Sequence, residues 1–278
     1  MAFMSSPSRP PFPFALLQFW FLRILPMWGF VALVVFLMQL AVSAIVHDNE
    51  SVRTFLKFLE VLPPFIKTAL GGEMLRAGNT PGLMAIGYQH PLVLFLYLLF
   101  AVGTPTKLLT GEVQKGTMEL ILSRPTTKTQ VYVCASILTL VGMLTLVLVM
   151  FLGTVTATKI YDFGEPIPLD LFFRIAINGG LLAGAAGAIA LMAAGVLAGR
   201  NSSVAFTVVF LVVNYFTWVI SQWWPRMGFL KPATLFYYVN GAKLARGWPL
   251  DDMAMLATII LGGTIIGGVV WHRRDLPL

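Results

Sequence analysis

The chain has 278 residues, of which 58% are hydrophobic and only 11% charged. Soluble domains are typically about 25% charged, so the composition excludes an ordinary soluble protein and indicates an integral membrane protein. The formal charge of +7 is spread between apolar stretches with no run of five or six basic residues, which excludes a nucleic-acid-binding tract, and the lone Cys134 excludes an internal disulfide framework and a cysteine-based metal site.

Six continuous apolar stretches, at 26–46, 88–109, 131–157, 172–199, 203–223 and 252–271, are each long enough to cross about 30 Å of hydrocarbon as a helix. Continuity rather than alternation predicts helices and not a barrel, because a segment in lipid must satisfy its own backbone. The fold class is therefore an all-α membrane protein, one transmembrane domain over 1–278 with six spans.

In chain order, Met1–Pro13 carries Pro10, Pro11 and Pro13 and cannot start a helix early. Phe14–Leu25 is aromatic, with Gln18 and Arg23 as its polar points, which predicts a separate N-terminal helix in the interface before the first span. A cleaved signal peptide competes, since Ala41-Val42-Ser43-Ala44 follows an apolar run, but that run exceeds the usual length of about 7–15 residues. The outer loop 47–87 shows two stripes at helical spacing. Val52, Phe55, Leu56 and Leu59 form the first, and Phe65, Ile66, Ala69 and Leu70 follow Pro63-Pro64 and end at Gly71-Gly72, which predicts two small amphipathic helices. His47-Asp48-Asn49-Glu50 reads as a solvated loop start, and no metal is assigned.

Gly103-Thr104-Pro105 predicts a kink or early unwinding near the end of span two. The polar-amphipathic segment 110–130 follows. Read as a helix over 112–122, it sets Val113, Leu120 and Ile121 near one side and Glu112, Lys115 and Glu119 on another, while Pro125 gives it a defined end. Span four contains Gly180-x-x-x-Gly184, Ala183-x-x-x-Gly187 and Gly195-x-x-x-Gly199, and span six Gly263-x-x-x-Gly267. This spacing allows close helix packing or a moving or dimerising surface. The deep polar residues Gln39, Asn178 and Asn214 either line a path or bond between helices. The loop 224–251, punctuated by Pro225, Pro232 and Pro249, holds the apolar Thr234–Val239, which predicts an outer interfacial or re-entrant segment.

The pattern Gly111-Glu112-x-x-x-Gly116-Thr117-x-Glu119-Leu120-x-Leu122-Ser123-x-Pro125, with a span on either side, resembles the first cytoplasmic loop of ABC-2 type transporter permeases. The resemblance implies that 110–130 is a cytoplasmic coupling helix docked on a separate ATPase subunit, with Glu112, Lys115, Gly116, Thr117, Glu119, Leu120 and Arg124 as coupling residues. Where the family often places a second acidic residue, Val113 and Gln114 follow Glu112 here, so the contact relies less on charge. It further implies an exporter with two permease subunits, identical or related, and two ATPase copies that bind ATP and Mg. Both termini then lie inside the cytoplasmic (inner) membrane, with lipids and no nucleic acid as further partners. Trp20, Trp28 and Trp271 would mark the inner interface and Trp223, Trp224 and Trp248 the outer one. Basic residues do not decide this orientation by themselves, since 9 of the 19 fall on the inner side.

This chain has no Gly-x-x-x-x-Gly-Lys-[Ser/Thr] phosphate loop and no catalytic motif, so no cofactor is expected in it and nucleotide-driven work needs the partner. No buried carboxylate is read in any span, which disfavours proton- or sodium-coupled transport. The alternative reading is a non-transporting scaffold that recruits a soluble partner through 111–125, and an amphipathic connector resting at the headgroups is the bland one. Few polar groups are available within the spans, which suggests an amphiphilic or hydrophobic cargo.

Overall fold

The computed structural model describes residues 12–48, positions 52, 54, 57, 61 and 63, and residues 79–275. The two short helices expected between the first spans, the tail before residue 12 and Asn49-Glu50 lie for the most part outside the described residues. Among those described, six helices are long and apolar enough to cross a membrane, so this is a helical, multi-pass membrane protein.

Helix α1 runs from Phe14 to His47 without a break. Its 34 residues span about 51 Å at 1.5 Å each, well beyond the hydrocarbon thickness. The separate interfacial helix expected at 14–25 is therefore corrected: it is the first part of α1. Pro26 removes one backbone donor, but the inward stripe Trp20, Ile24, Val31, Val35, Gln39 and Ser43 keeps its helical phase across the proline, and packing on both sides holds the helix together.

Helix α2 (Thr80–Gln89) starts at Asn79, whose side chain accepts the Gly82 N–H at 2.9 Å. It is enclosed by neighbours from Gly82 to Tyr88. Pro91 then forces His90 to an extended ψ of 133° and begins α3 (Pro91–Leu108), so span two consists of two consecutive helices, starting at Thr80 rather than at 88. Helix α3 continues through Pro105 and unwinds at Leu109, close to where Gly103-Thr104-Pro105 predicted. Two short helices follow, α4 (Thr110–Gln114) and α5 (Thr117–Leu122). Helix α6 (Lys128–Ile160) opens on a reciprocal cap, with Thr127 accepting from Gln130 N–H and the Gln130 side chain accepting from Thr127 N–H. Helices α7 (Leu169–Val196), α8 (Arg200–Trp223), α9 (Gly241–Arg246) and α10 (Leu250–Arg273) complete the chain, with 3-10 turns at Pro225–Ala233 and Leu235–Tyr238 between α8 and α9.

Helix α7 is the central strut, packed against α10, α6, α3 and α8. Its small residues make this possible. A Cβ on Gly195 would come within 2.4 Å of the Gly267 carbonyl oxygen, and one on Gly267 within 2.7 Å of Met192 Cα, so α7 and α10 cross backbone against backbone. Gly180 receives Val147 and Gly187 receives Thr139 from α6 in the same way. Lipid tails are as apolar as leucine, so helices in a bilayer associate through such close packing rather than through exclusion of water. The glycine spacing thus serves internal packing.

Two tryptophans expected as headgroup anchors are packing residues instead. Trp20 and Trp271 are fully buried, and Trp271 Nε1 donates to the Lys128 carbonyl at 3.0 Å. Trp28 is partly buried and donates to Thr145 Oγ1 at 3.0 Å.

Candidate functional site

The segment between spans two and three is an elbow. The Lys115 N–H donates to the Gly111 carbonyl and the Gly116 N–H to that of Val113, which closes α4. Gly116 then takes φ 72°, the left-handed region that a side chain disfavours. A Cβ there would meet open space, so glycine is required by the backbone turn and not by crowding. Helix α5 restarts at Thr117, and the continuous helix expected over 112–122 is corrected to two short helices joined at Gly116.

Glu112 explains the turn's tightness. It is 3% exposed; its carboxylate forms an ion pair with the Arg23 guanidinium of α1 and accepts the Thr117 hydroxyl at 2.6 Å. The Thr117 hydroxyl also lies 3.2 Å from the Glu112 carbonyl. Lys107 of α3 donates its ammonium to the Arg23 carbonyl at 3.0 Å, and the Arg200 side chain at the start of α8 lies against Gly111. The elbow is thereby tied to α1, α3 and α8 at one end of the bundle. Charge-assisted bonds to a desolvated carboxylate are the strong ones, and here they join residues 89 positions apart.

The spacing Glu112-x-x-x-Gly116-Thr117 thus has a local physical meaning: acceptor, turn, donor. Met118 is fully buried, and Val113, Ile121 and Leu122 pack against the core. The apolar side read from the sequence is split accordingly. Val113 and Ile121 face the bundle, whereas Leu120 stands 68% exposed. Lys115, Gly116, Glu119, Ser123, Arg124 and Pro125 are exposed around it, and none of Lys115, Glu119 and Arg124 forms an ion pair within the described residues. Of the seven residues read as coupling residues, Glu112 is internal and Thr117 half-buried, while Lys115, Gly116, Glu119, Leu120 and Arg124 form the outward rim. Ser123 and Thr126 close the loop, donating to the Leu120 and Ile121 carbonyls at 3.0 and 2.8 Å.

The three deep amides are occupied with non-helical or neighbouring backbone. Gln39 donates to the Met84 carbonyl of α2 at 3.4 Å. Asn178 of α7 donates to the Tyr238 carbonyl at 3.2 Å, and Asn214 of α8 accepts the Leu235 N–H at 2.9 Å. Asn178 and Asn214 each lie nine residues inside their helices, about 13 Å from those ends. The Leu235–Tyr238 turn is therefore drawn that far between the helices, as a re-entrant segment would be. Arg23 and the two clamped backbone groups were not legible as partners from sequence, because each pair joins distant positions.

No family model, no curated protein and no solved structure matches this chain.

Proposed function

We propose that the chain is the membrane permease subunit of an ABC-type exporter and that the rim around Leu120 receives an ATPase subunit in the cytoplasm. The observation that carries this reading is the elbow itself: an exposed tip of mixed charge around one apolar residue, braced by buried Glu112 and Met118 on the bundle. A displacement of the tip passes through the Glu112–Arg23 pair into α1 and through Lys107 and Leu109 into α3. Those two helices would tilt against the α7–α10 strut, and alternate opening of a path between two permease subunits would follow. ATP and Mg belong to the partner, and both termini of this chain lie on the cytoplasmic side with the tip.

The test uses the tagged full-length chain purified from its own membranes in mild detergent. Mg-dependent ATP hydrolysis co-purifies with it, and Leu120→Asp combined with Arg124→Glu strips the hydrolysing subunit while leaving the chain monodisperse. Wild-type chain that carries no ATPase overturns the proposal. Retention of a soluble partner without hydrolysis supports the scaffold reading instead. Cysteine labelling at position 119 in right-side-out vesicles checks orientation: modification by a membrane-impermeant reagent there would place the tip outside and defeat the assignment.

A further inference from the structure

A cavity lies beneath the re-entrant turn. It is lined by Tyr88 and Gln89 at the α2–α3 break, Leu94 and Tyr97 of α3, Val147 of α6, the face of α7 from Ile175 to Leu182, Tyr215 and Trp218 of α8, and Phe236 and Val239 of the turn. No charged residue is among them. Two of the three lining tyrosine hydroxyls are committed elsewhere, Tyr88 to Thr154 at 2.6 Å and Tyr97 to the Met150 sulfur at 3.3 Å; the other polar groups on the wall are the Gln89 amide, the Tyr215 hydroxyl and the Trp218 indole. The volume is about 60 Å³ and the cavity is partly open. Against the roughly 150 Å³ of an apolar cavity that holds one benzene, that is room for about two or three carbons, the tip of a chain and not a headgroup. Its walls lie roughly 8–20 Å from the ends of α7 and α8, counting 1.5 Å per residue, which is hydrocarbon depth in a layer about 30 Å thick.

We propose that this cavity binds the end of one hydrocarbon chain of a membrane amphiphile, with Phe236 as its lid. A mostly apolar cavity at this depth draws its occupant from the surrounding acyl chains, and no charge on its walls selects an ionic ligand. Phe236 packs edge-on to Tyr215 with centroids 5.1 Å apart and lies 5.9 Å from Trp218. Its backbone neighbours are clamped by Asn214 on one side and Asn178 on the other. The Asn178 Oδ1 is buried without a partner, so Asn178 holds the turn through its Nδ2 alone. The two amides thus set the lid and do not themselves touch the occupant. The site stands without the ATPase reading, since it belongs to this chain alone.

Gly179 makes the test possible. It lines the cavity, and a Cβ built on it meets nothing within 4 Å, so a larger side chain enters the cavity and not a neighbour. Purified full-length chain in maltoside micelles is irradiated with palmitic acid carrying a diazirine near its methyl end, and adducts are mapped by mass spectrometry. Wild type is labelled at Trp218, Tyr97 or Phe236, and Gly179→Leu lowers that labelling at least tenfold while adducts on exposed Leu261 and Ile265 of α10 are unchanged. Gly262→Leu, at another glycine with open space, leaves both unchanged. If the leucine variant fails to insert, Gly179→Ala adds one carbon to the same space and gives an intermediate loss. Competition separates the sources: excess unlabelled phosphatidylcholine displacing the probe identifies a bilayer lipid, and displacement only by free fatty acid identifies a single-chain cargo. Cavity labelling that persists unchanged in Gly179→Leu, or that never exceeds labelling of α10, overturns the proposal.

Discussion

The Glu112–Arg23 pair makes a prediction whose asymmetry is fixed by burial. The Glu112 side chain is 4% exposed and the Arg23 side chain 27%. Removing a partner costs most where the survivor is left desolvated, about 3–5 kcal/mol for a buried pair. Arg23→Gln strands the enclosed carboxylate, with only the Thr117 hydroxyl left to it, so a loss of about 3 kcal/mol is expected. Glu112→Gln keeps one acceptor oxygen, for Arg23, and turns its amide N–H to the Thr117 hydroxyl, which must then accept instead of donate; the ion pair becomes a bond in which only the guanidinium is charged. Arg23 can turn its guanidinium partly to water, and about 1–1.5 kcal/mol is expected to go. The double variant leaves two neutral amides facing each other and recovers part of the loss, giving a coupling of about 1–2 kcal/mol, well above the 0.5 kcal/mol or so within which independent sites add. The measurement is reversible unfolding of the purified chain in mixed micelles titrated with SDS, for wild type, both single variants and the double variant. Equal losses for the two single variants, or additivity within about 0.5 kcal/mol, would refute both the ion pair and its role as the brace of the elbow.

Gly116→Ala places a β-carbon on a residue at φ 72° in open space, so in the same assay it costs about 1–2 kcal/mol from the backbone alone; Gly116→Asn should cost less, and equal costs for the two would contradict the left-handed turn. Gly267→Ala drives a carbon to 2.7 Å from Met192 Cα and must part α7 from α10, with a loss of more than about 3 kcal/mol. Gly262→Ala on the same helix meets nothing and should be neutral or stabilising by up to about 1 kcal/mol; similar effects at the two glycines would undo the backbone crossing. Lys243 donates to both Asp252 carboxylate oxygens at 2.9 and 2.8 Å, a bond that raises the lysine above its ordinary range. A raised folded-state value means that its stabilisation is complete below the unfolded value near about pH 10.4 and fades only as pH climbs through the higher folded one. The stability gap between wild type and Lys243→Met should therefore hold level from pH 7 to about 10 and narrow beyond it, and narrowing already below pH 9 would disprove the pairing.

The elbow shows where sequence reading succeeds and where it stops. Pro125 was legible as punctuation because its backbone preference is local. A helix across 112–122 looked continuous because helical spacing persists on both sides of Gly116, and propensity alone does not say that the chain turns there. The side presented by Leu120 was equally hidden, since Val113 and Ile121 share its pattern and only the bundle decides which of them is covered. In α1 the residues are apolar all round, so periodicity could not identify Trp20 as interior or show that Pro26 leaves the helix unbroken.

Medium, helical class and the number of long apolar segments were determined by the sequence by itself, since each depends on the composition of some twenty consecutive residues and on the cost of unpaired backbone in lipid. Tertiary structure alone decided that Glu112 faces Arg23, that Asn178 and Asn214 hold the turn at 235–238, and that Gly195 meets Gly267. Those choices rest on short-range forces between positions far apart in the chain, and a contact of a few ångströms leaves no periodic trace in the order of the residues that make it.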